Sequence, residues 1–523
     1  MRPLFSRLAA LAVLVLSLSA APLRAQDVTL TARDGSLSLP GTLLQYDGEF
    51  YRIDTRYGPM TLAADGVRCS GPGCPGPGDA VARVAISGAR QMGLVLMPAF
   101  IEGYARQHGL TAVKRIDDET HFSYALRAGD GTPVAEIAIR ASTTDEGIAD
   151  LVAAEADLAL ALRPVTAAEA GMAREAGIGE LTDPRRARIV GLDALVAVVA
   201  PENPVTALTV AELSAIFSGE IRNWRDLGGP DAPVIPVIRA GGAGQTRLLA
   251  ARFPGAGGIT AGPHLSYAPS APALSDRVAT DPFAIGLVSY SEIGNARPLA
   301  IAGACGFRIA PDPAAIKAED YPLTERLRVY TPARRLPRFA RQLLAYLETE
   351  AAQALVPATG FVGQAVTPVP LGRDGQRLAK AVTALDAETG LAELREMLAT
   401  RGQAQRLSAG FRFEDGTATL DPRAEVNVRL LGDRIAAGRY DGKTLIFAGF
   451  SDSAGGAAVN LRLSRDRAAA ARDAVLAAAG DGEPSRLAVR AVGFGELSPI
   501  ACDDSDWGRR LNRRVEVWLA DQR

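Results

Sequence analysis

The 523-residue sequence has few of the residues from which metal centres and nucleophilic catalytic sites are built, because it contains three histidines and four cysteines. His108, His121 and His264 lie far apart, and none has the spacing of metal ligands or a nucleophile motif nearby. The glycine-rich run at 241–244 is not followed by the Lys-Ser/Thr pair of a nucleotide-binding loop. We therefore expect structural roles for the histidines, and we predict no enzyme activity, no metal and no cofactor.

Long apolar runs and a charge of one sign are also missing. Beyond residue 25 no stretch reaches the roughly 18 uninterrupted apolar residues of a membrane-spanning helix. The chain has 57 basic and 59 acidic residues, a formal net charge of −2. A slightly acidic chain has no electrostatic attraction for nucleic acid. We expect neither a transmembrane helix in the mature chain nor a nucleic-acid partner.

Residues 1–25 are predicted to be a secretory signal peptide. Arg2 and Arg7 supply a positive region before an apolar stretch at 8–21, and Leu23-Arg24-Ala25 ends in a small residue suited to cleavage before Gln26. An uncleaved anchor helix is the alternative. No cysteine follows the apolar stretch, so a bacterial lipid anchor is not expected.

The four cysteines fall into a close pair and two distant residues. Cys69 and Cys74 enclose a Ser-Gly-Pro-Gly loop, and an exported chain meets an oxidising compartment, so we predict a local disulfide. Metal binding is the weaker alternative because no histidine is near. Cys305 and Cys502 are either buried thiols or a second pair, and the sequence does not decide between them.

Hydrophobic patterning predicts a multidomain chain. Residues 26–79 form a small β unit with a hairpin at Asp47-Gly48 and a closing Gly/Pro linker. Residues 80–368 alternate strand-like and helix-like segments, which is typical of an α/β fold with parallel sheets. Within them a strand at 135–141 leads into Ser142-Thr143-Thr144-Asp145, which are good residues to cap a helix from Glu146.

The last part of the chain has a different pattern. Residues 369–408 are rich in Ala, Leu, Glu and Arg and are predicted to be a helical linker. Residues 409–523 are predicted to be an α+β sandwich, with helices at 423–435 and 464–479 and strands at 444–450, 487–492 and 513–519.

Ordered motifs in this last domain carry the most specific resemblance. They are Gly449-Phe450-Ser451-Asp452, Asn460, Leu463-Ser464-Arg465-Asp466-Arg467-Ala468, Gly493-Phe494-Gly495-Glu496, Pro499, and Gly508-Arg509-Arg510-Leu511-Asn512-Arg513-Arg514-Val515-Glu516. In this order and spacing, residues 411–519 resemble the peptidoglycan-binding C-terminal family of OmpA. The family often has Thr where this chain has Ser451, which keeps the hydroxyl.

The resemblance implies a ligand and a set of contacts. The family binds the diaminopimelate of the peptidoglycan stem, which presents an ammonium and a carboxylate on one carbon. It implies that Asp452 takes the ammonium and Arg467 the carboxylate, the latter in bidentate geometry. Asn460 shares a helix face with Arg467 if the helix already includes it. Asn512 and Arg513 open the last strand and border the same pocket.

Residues 80–365 resemble the PstS-like phosphate group of periplasmic solute-binding proteins, which implies two α/β lobes that close over a ligand. The motifs that carry the resemblance are Ile86-Ser87-Gly88-Ala89, Ala156-Asp157-Leu158-Ala159, Arg163-Pro164-Val165-Thr166, Asp193-Ala194-Leu195-Val196, Pro201-Glu202-Asn203-Pro204-Val205, Ile216-Phe217-Ser218-Gly219-Glu220-Ile221-Arg222-Asn223-Trp224-Arg225-Asp226-Leu227-Gly228-Gly229, Ala284-Ile285-Gly286 and Gly360-Phe361-Val362.

An oxyanion site is expected between the lobes. A glycine-rich turn that feeds a helix directs backbone N–H groups at one point, and an arginine adds charge. The predicted contacts are Ser142, Thr143, Arg163, Arg239, Gly242, Ala243, Gly244 and Thr246.

The expected anion contacts depart from the family pattern. The glycine-rich loop has Ala243 and Gln245 where hydroxyls are expected, and Arg90 and Gln91 occupy the first loop. The acid that accepts the proton of phosphate is replaced by Leu162. Its loss predicts weaker discrimination between phosphate and fully ionised anions such as sulfate.

Two functional classes follow. The first is a periplasmic receptor for phosphate or a related oxyanion, held to the wall near the outer membrane, with an ABC permease as a candidate partner. The second is a wall-anchored structural or sensing protein without a small ligand. Another small anion or solute remains an alternative ligand.

Overall fold

The computed structural model describes residues 27–76, 80–240, 262–303, 305–369, 390–414, 416–421, 424–480 and 487–522, together with positions 375, 379 and 382. The predicted signal peptide and the predicted contacts Gly242, Ala243, Gly244 and Thr246 lie outside these residues, as does part of the predicted linker.

The N-terminal unit is one antiparallel sheet of five strands, in which the last strand returns to pair with the first. The hairpin at Asp47-Gly48 is confirmed, since the Asp47 carboxylate accepts the backbone N–H of Glu49 and Phe50 at 2.9 and 2.7 Å. The Cys69–Cys74 disulfide is present. The strands are Val28–Ala32, Ser38–Tyr46, Phe50–Thr55, Gly58–Ala63 and Val67–Ser70.

Lobe 1, formed by residues 80–186 and 331–365, places helices around one end of a long sheet. Its central strand Ala82–Ala89 lies between two parallel neighbours. The strands are Ala82–Ala89, Thr111–Ile116, His121–Arg127, Pro133–Ser142 and Leu158–Ala161, and the helices are Met92–Leu96, Met97–Gln107, Thr144–Val152, Ala167–Glu175, Arg338–Leu347 and Glu350–Gln353.

Lobe 2, formed by residues 195–323, continues the same sheet with four of its strands, and Ala207–Thr209, Ala300–Ala302 and Arg308–Ile309 form a separate three-stranded sheet. The strands among its described residues are Ala207–Thr209, Ile235–Arg239, Ser266–Ala268, Ala284–Ser289, Arg297–Pro298, Ala300–Ala302 and Arg308–Ile309, and the helices are Val210–Ser218, Ala271–Thr280 and Pro313–Lys317. Short 3₁₀ turns at Pro184–Arg186, Trp224–Leu227, Tyr290–Glu292 and Val356–Thr359 connect elements of the two lobes.

Two antiparallel strands, Ala187–Val199 and Thr324–Tyr330, run between the lobes and are called the hinge strands. The first hinge strand pairs with the second over residues 187–194 and with Ala284–Ser289 of lobe 2 over residues 195–199. The prediction of parallel sheets is therefore correct for the centre of each lobe and wrong for the hinge, where the chain crosses and returns.

The C-terminal domain is a four-stranded sheet covered by helices. Its strand order is Ala404–Arg412, Arg514–Asp521, Lys443–Phe450, Ala488–Gly493. A helix packs closely on the sheet because Gly449 has no side chain to collide with the Ser464 carbonyl. The helices are Leu391–Gly402, Glu425–Ala436, Ala457–Ala479 and Asp506–Asn512.

The predicted helical linker at 369–408 needs correction, because residues 404–408 belong to a strand of the C-terminal sheet. Arg406 is a good helix former, but in the strand it points inward and its guanidinium pairs with Asp320 and Glu516. Tertiary pairing thus overrides local propensity here. The helix itself ends at Gly402.

The N-terminal sheet and the C-terminal domain are attached to different lobes. The N-terminal sheet is bound to lobe 1, where Gln45 donates to the Arg83 carbonyl and Asp47 accepts the Arg338 N–H, each at 2.9 Å. Lobe 2 is joined to the C-terminal domain by a disulfide between Cys305 and Cys502. The pair that the sequence left undecided is therefore an interdomain link.

Candidate functional site

Charged side chains gather at one edge of the C-terminal sheet. Lys443–Phe450 and Ala488–Gly493 run parallel, so their carboxyl ends meet at the same edge. Asp452 follows the first strand and Glu496 follows the second. Arg513 lies at the same edge because the next residue, Arg514, begins the last strand and pairs with Phe450, the final residue of Lys443–Phe450. The edge therefore brings together carboxylates and a guanidinium.

Asp452 is paired with Arg513. The Arg513 Nη1 donates to the Asp452 Oδ2 at 2.5 Å, and both side chains are 9% exposed. The other carboxylate oxygen of Asp452 accepts the Ala454 N–H at 3.2 Å. The resemblance implies that Asp452 and Arg467 take the two charges of the ligand, and the cation in contact with Asp452 in the structure is Arg513, another of the predicted contacts.

Arg467 lies deeper in the domain. It is seven residues after Asn460 on the helix Ala457–Ala479, which displaces its Cα by roughly 10 Å along the axis. Its side chain is fully buried, its Nε donates to the Thr417 carbonyl at 2.8 Å, and its guanidinium lies 5.6 Å from the Phe413 ring. The backbone at Thr417 thus covers Arg467 in this structure.

Asn460 lies beside a residue that sequence reasoning did not select. The helix does include Asn460, and its Nδ2 donates to the Glu496 Oε1 at 2.6 Å. An open cavity of about 200 Å³ lies next to this pair, lined in part by Glu393 and Glu496. Glu496 belongs to the quoted Gly-Phe-Gly-Glu motif, and its place after a parallel strand was the signal that could have identified it.

Asn512 has a supporting role. It is the last residue of the helix Asp506–Asn512, so it does not open the final strand as predicted, and Arg513 follows as the cap. The Asn512 Oδ1 accepts the N–H of Ile500 and Ala501, and its Nδ2 donates to the Asp503 carboxylate at 2.8 Å. The buried amide therefore holds the preceding loop in place next to Arg513.

In lobe 1 the hydroxyl cluster lies at a helix start, as predicted. Thr143 is the N-cap of Thr144–Val152, and its hydroxyl accepts the Glu146 N–H at 3.1 Å. The Thr144 hydroxyl accepts the Leu162 N–H at 3.1 Å. The Ser142 hydroxyl is half-buried and makes a long 3.5 Å contact with the Thr143 carbonyl. Ser142 is thus the hydroxyl of this cluster that is least committed to holding the backbone.

Arg163 does not present an open positive charge to the cleft. Its two terminal nitrogens contact both Glu169 carboxylate oxygens at 2.8 and 2.6 Å, and one of them also contacts Asp145 at 2.6 Å. The hydrogen bonds that Arg163 donates to Glu169, and then the one that it donates to Asp145, raise the pKa of Arg163. Two carboxylates therefore neutralise the charge of Arg163, which was predicted to contact the bound anion.

Arg239 lies in lobe 2. It ends the strand Ile235–Arg239, which pairs in parallel with Ser266–Ala268. Burial raises the pKa of Glu292, and the charge of Arg239 opposes that rise, which places the two groups within electrostatic range.

The hinge contains a buried acid that sequence reasoning missed. Asp193 is 3% exposed on the first hinge strand. Its carboxylate accepts the Ala194 N–H at 2.8 Å and the Ser291 N–H at 3.3 Å. Burial raises the pKa of Asp193 to about 7. The first hinge strand thus carries a buried acid whose pKa is raised by burial.

The three histidines each have a local partner. His108 and His264 contact backbone carbonyls of Tyr104 and Phe217 at 2.9 and 3.1 Å. His121 pairs with Asp118 at 2.9 Å. In the described part of the chain no cluster of His, Cys, Asp and Glu could hold a metal ion, and no helix is both long and apolar enough to cross a bilayer.

Comparison with known proteins gives two matches along the chain. Residues 86–350, just over half of the 523, match the PBP superfamily domain, and residues 412–513 match the OmpA family. The phosphate-binding protein PstS of Bacillus subtilis is 28% identical over 193 residues, 35% of this chain and 59% of that protein. Outer membrane protein A of Bordetella avium is 37% identical over 113 residues, 21% of this chain and 54% of that protein.

These two curated relatives are therefore matched over little more than half of their own length. Among solved structures, an ABC-type phosphate transport receptor from Vibrio cholerae is 21% identical, with a TM-score of 0.41, and the match covers 53% of this chain and 99% of that one. The extent of the first family match decides the classification: the chain belongs to the PBP superfamily, and an OmpA-like domain is fused behind its solute-binding domain.

Proposed function

We propose that this chain is a solute-binding protein of the bacterial envelope whose C-terminal domain holds it non-covalently to peptidoglycan. The observation that carries the proposal is the buried contact between Asp452 and Arg513 at the edge where two parallel strands end. A group with one negative and one positive charge a few ångströms apart is complementary to an amino-acid zwitterion. The match to the OmpA family supports a ligand in the cell wall.

The proposed ligand is the diaminopimelate of the peptidoglycan stem. Its ammonium takes the place of the Arg513 guanidinium on Asp452, which frees a cation for its carboxylate. Arg513 is the nearest such cation, and Arg467 is the one that the resemblance implies. Asn460 and Glu496 border the same edge and offer an amide and a carboxylate to the rest of the stem.

Retention on purified sacculi tests this assignment. Asp452→Asn keeps an acceptor for Arg513 but removes the negative charge, and we expect it to lower retention. Arg467→Lys keeps the charge but removes the bidentate fork, and we expect a smaller loss. The matched controls are Asp473→Asn and Arg472→Lys, which change an exposed ion pair on the helix that carries Arg467. Unchanged retention of both site variants would contradict the assignment.

For the two-lobed domain we propose a small oxyanion, with phosphate as the leading ligand. The start of the helix at Thr144 presents backbone N–H groups beside the Ser142 hydroxyl, and Arg239 supplies a positive charge from lobe 2. The similarity to PstS of Bacillus subtilis supports phosphate. A periplasmic location near the outer membrane and partnership with an ABC permease belong to this same proposal.

Titration calorimetry with phosphate and with sulfate tests the ligand, and native mass spectrometry shows whether an anion co-purifies. Since Leu162 offers no acceptor for the proton of phosphate, we expect binding of both anions with little preference. Arg239→Ala is expected to weaken binding. Arg225→Ala, which removes an exposed arginine of lobe 2 paired with Asp231, is expected to leave it unchanged.

One observation favours a second function, a wall-anchored scaffold or sensor without a small ligand. Arg163 is neutralised by Asp145 and Glu169, so lobe 1 provides less positive charge than the sequence implied. If neither anion binds and none co-purifies, this second function is supported over the receptor.

A further inference from the structure

The disulfide between Cys305 and Cys502 joins two domains, and the two cysteines are 197 residues apart in the chain, with their Cα atoms 5.7 Å apart. Cys305 lies in lobe 2, after the short strand Ala300–Ala302. Cys502 lies in the C-terminal domain, in the loop that precedes the helix Asp506–Asn512. We call residues 498–503 the bracing loop.

Cys502 is enclosed from both domains. A Cβ atom at Gly303 of lobe 2 would overlap the Cys502 sulfur, and a Cβ atom at Gly508 would overlap the Cys502 carbonyl. The Cys305 N–H donates to the Cys502 sulfur at 3.0 Å. Glycine at these two positions therefore allows both domains to pack closely against Cys502. This packing does not depend on the disulfide bond.

The bracing loop contacts the residues next to the charge pair. Asp503 follows Cys502 directly, and its Oδ2 accepts the N–H of Ser453, the residue after Asp452, at 2.8 Å. Its Oδ1 accepts the Asn512 amide, the residue before Arg513, at 2.8 Å. One side chain therefore ties the loop to both chain segments that carry the predicted peptidoglycan contacts.

Lobe 2 is also held to the C-terminal domain by ion pairs that do not involve the disulfide. Asp320 of lobe 2 accepts Arg406 at 2.8 Å and Arg412 at 3.2 Å, and all three side chains are nearly buried. The Arg412 Nη1 also donates to the Leu511 carbonyl at 2.6 Å. Because these pairs hold the domains together without the disulfide, the effect of the disulfide falls on the loop that contains Cys502.

We propose that the solute-binding domain positions the peptidoglycan site through this disulfide, with Cys305 and Cys502 as positioning residues for wall binding. A loop fixed at one end to a rigid neighbour has fewer conformations, so less ordering is needed when ligand binds. This inference rests on the proposed wall-binding function, and it adds that the wall affinity of the C-terminal domain depends on lobe 2.

Retention of the full chain on purified sacculi tests the proposal with the double variant Cys305→Ser/Cys502→Ser. We expect the dissociation constant to rise about five- to ten-fold, the lower end of the range for coupling between sites. The matched control is Cys69→Ser/Cys74→Ser, which removes the other disulfide in the N-terminal sheet and is expected to leave wall affinity unchanged.

Amide hydrogen exchange distinguishes positioning from general stability. We expect faster exchange in the bracing loop and at Ser453, with unchanged protection in the strand Lys443–Phe450. Unchanged retention of the variant, or loss of protection throughout the C-terminal sheet, would overturn the proposal. If the unmodified chain is not retained on sacculi, the proposed wall-binding function fails, and this inference fails with it.

Discussion

Asp452 and Arg513 are opposite charges enclosed by the C-terminal domain, and each depends on the other for compensation. Arg513→Ala leaves the Asp452 carboxylate buried without its cation, so we expect a loss of about 3–5 kcal/mol in the free energy of unfolding. Urea denaturation measures this loss. The double variant Asp452→Ala/Arg513→Ala is expected to cost less than the two single variants together, because the residues are coupled. Additive costs would contradict a direct pair.

At the scale of single residues, the sequence motifs selected residues that the structure brings to one edge of the domain, but they did not show which of these residues contact each other. Asp452 and Asn460 lie where the motif order implied, while Arg467 is two helical turns further on and is covered by Thr417. The partner of Asp452 is Arg513, which the motif contains but whose contact depends on how two antiparallel strands align. Such alignment is a long-range property that local pattern does not encode.

At the scale of elements, the first hinge strand carries the buried Asp193. Its pKa of about 7 lies above the value of about 3.9 for aspartate in an unfolded chain. Between these values the folded chain binds the proton more tightly, so the stability from this group is greatest at low pH and is lost as pH rises toward neutrality. The variant Asp193→Asn removes the titration of this carboxyl group. As pH rises between the two pKa values, the free energy of unfolding of the variant is expected to rise relative to that of the unmodified chain, by on the order of 3–4 kcal/mol.

Urea denaturation of both proteins across that pH range provides the check. Glu292 lies near Asp193 and is present in both proteins, so its titration largely cancels in the difference. A difference that does not change with pH would show that Asp193 ionises normally in the folded chain.

Element boundaries show where local pattern was sufficient. The helix Thr144–Val152 begins at the predicted capping residues because Thr143 satisfies a backbone N–H at the helix start. Residues 404–408 of the strand Ala404–Arg412 were predicted as part of a helical linker, since Ala, Leu and Arg favour helices when no partner is present. Pairing with Arg514–Asp521 decided its conformation, and a single sequence does not show that pairing.

At the scale of the whole molecule, lobe 2 and the C-terminal domain share a buried charge network. Asp320→Ala leaves Arg406 and Arg412 without the carboxylate between them, and we expect a loss of about 3–5 kcal/mol in stability. Asp231→Ala, which breaks an exposed pair of lobe 2, is expected to cost less than about 1 kcal/mol. Thermal unfolding of the two variants compares them, and equal effects would contradict a structural role for the interface.

Lobe 1 meets the C-terminal domain differently. Glu350 contacts Arg434 and Arg439 at 3.2 and 2.9 Å, and this glutamate is 60% exposed. Exposed pairs contribute little and are screened by salt. If the lobes close on a ligand, lobe 1 is therefore the lobe that we expect to move, and the N-terminal sheet moves with it.

Domain order and the two-lobed fold could be predicted from sequence because each domain carries its own motifs. The interface could not, because Cys305 and Cys502 have no local sign of pairing and their connectivity depends on how two domains pack. The sequence likewise gives no sign that Gly303 and Gly508 leave space for Cys502.

Binding of soluble stem peptides to the full chain, measured by calorimetry, tests most directly whether the C-terminal domain recognises an amino-acid zwitterion. A stem with diaminopimelate carries the side-chain ammonium and carboxylate, whereas a stem with lysine keeps only the ammonium. Loss of a charged hydrogen bond costs about 1.5–3 kcal/mol, so the lysine stem is expected to bind roughly ten-fold or more weakly. Equal affinity for the two stems, or no binding of either, would contradict the account.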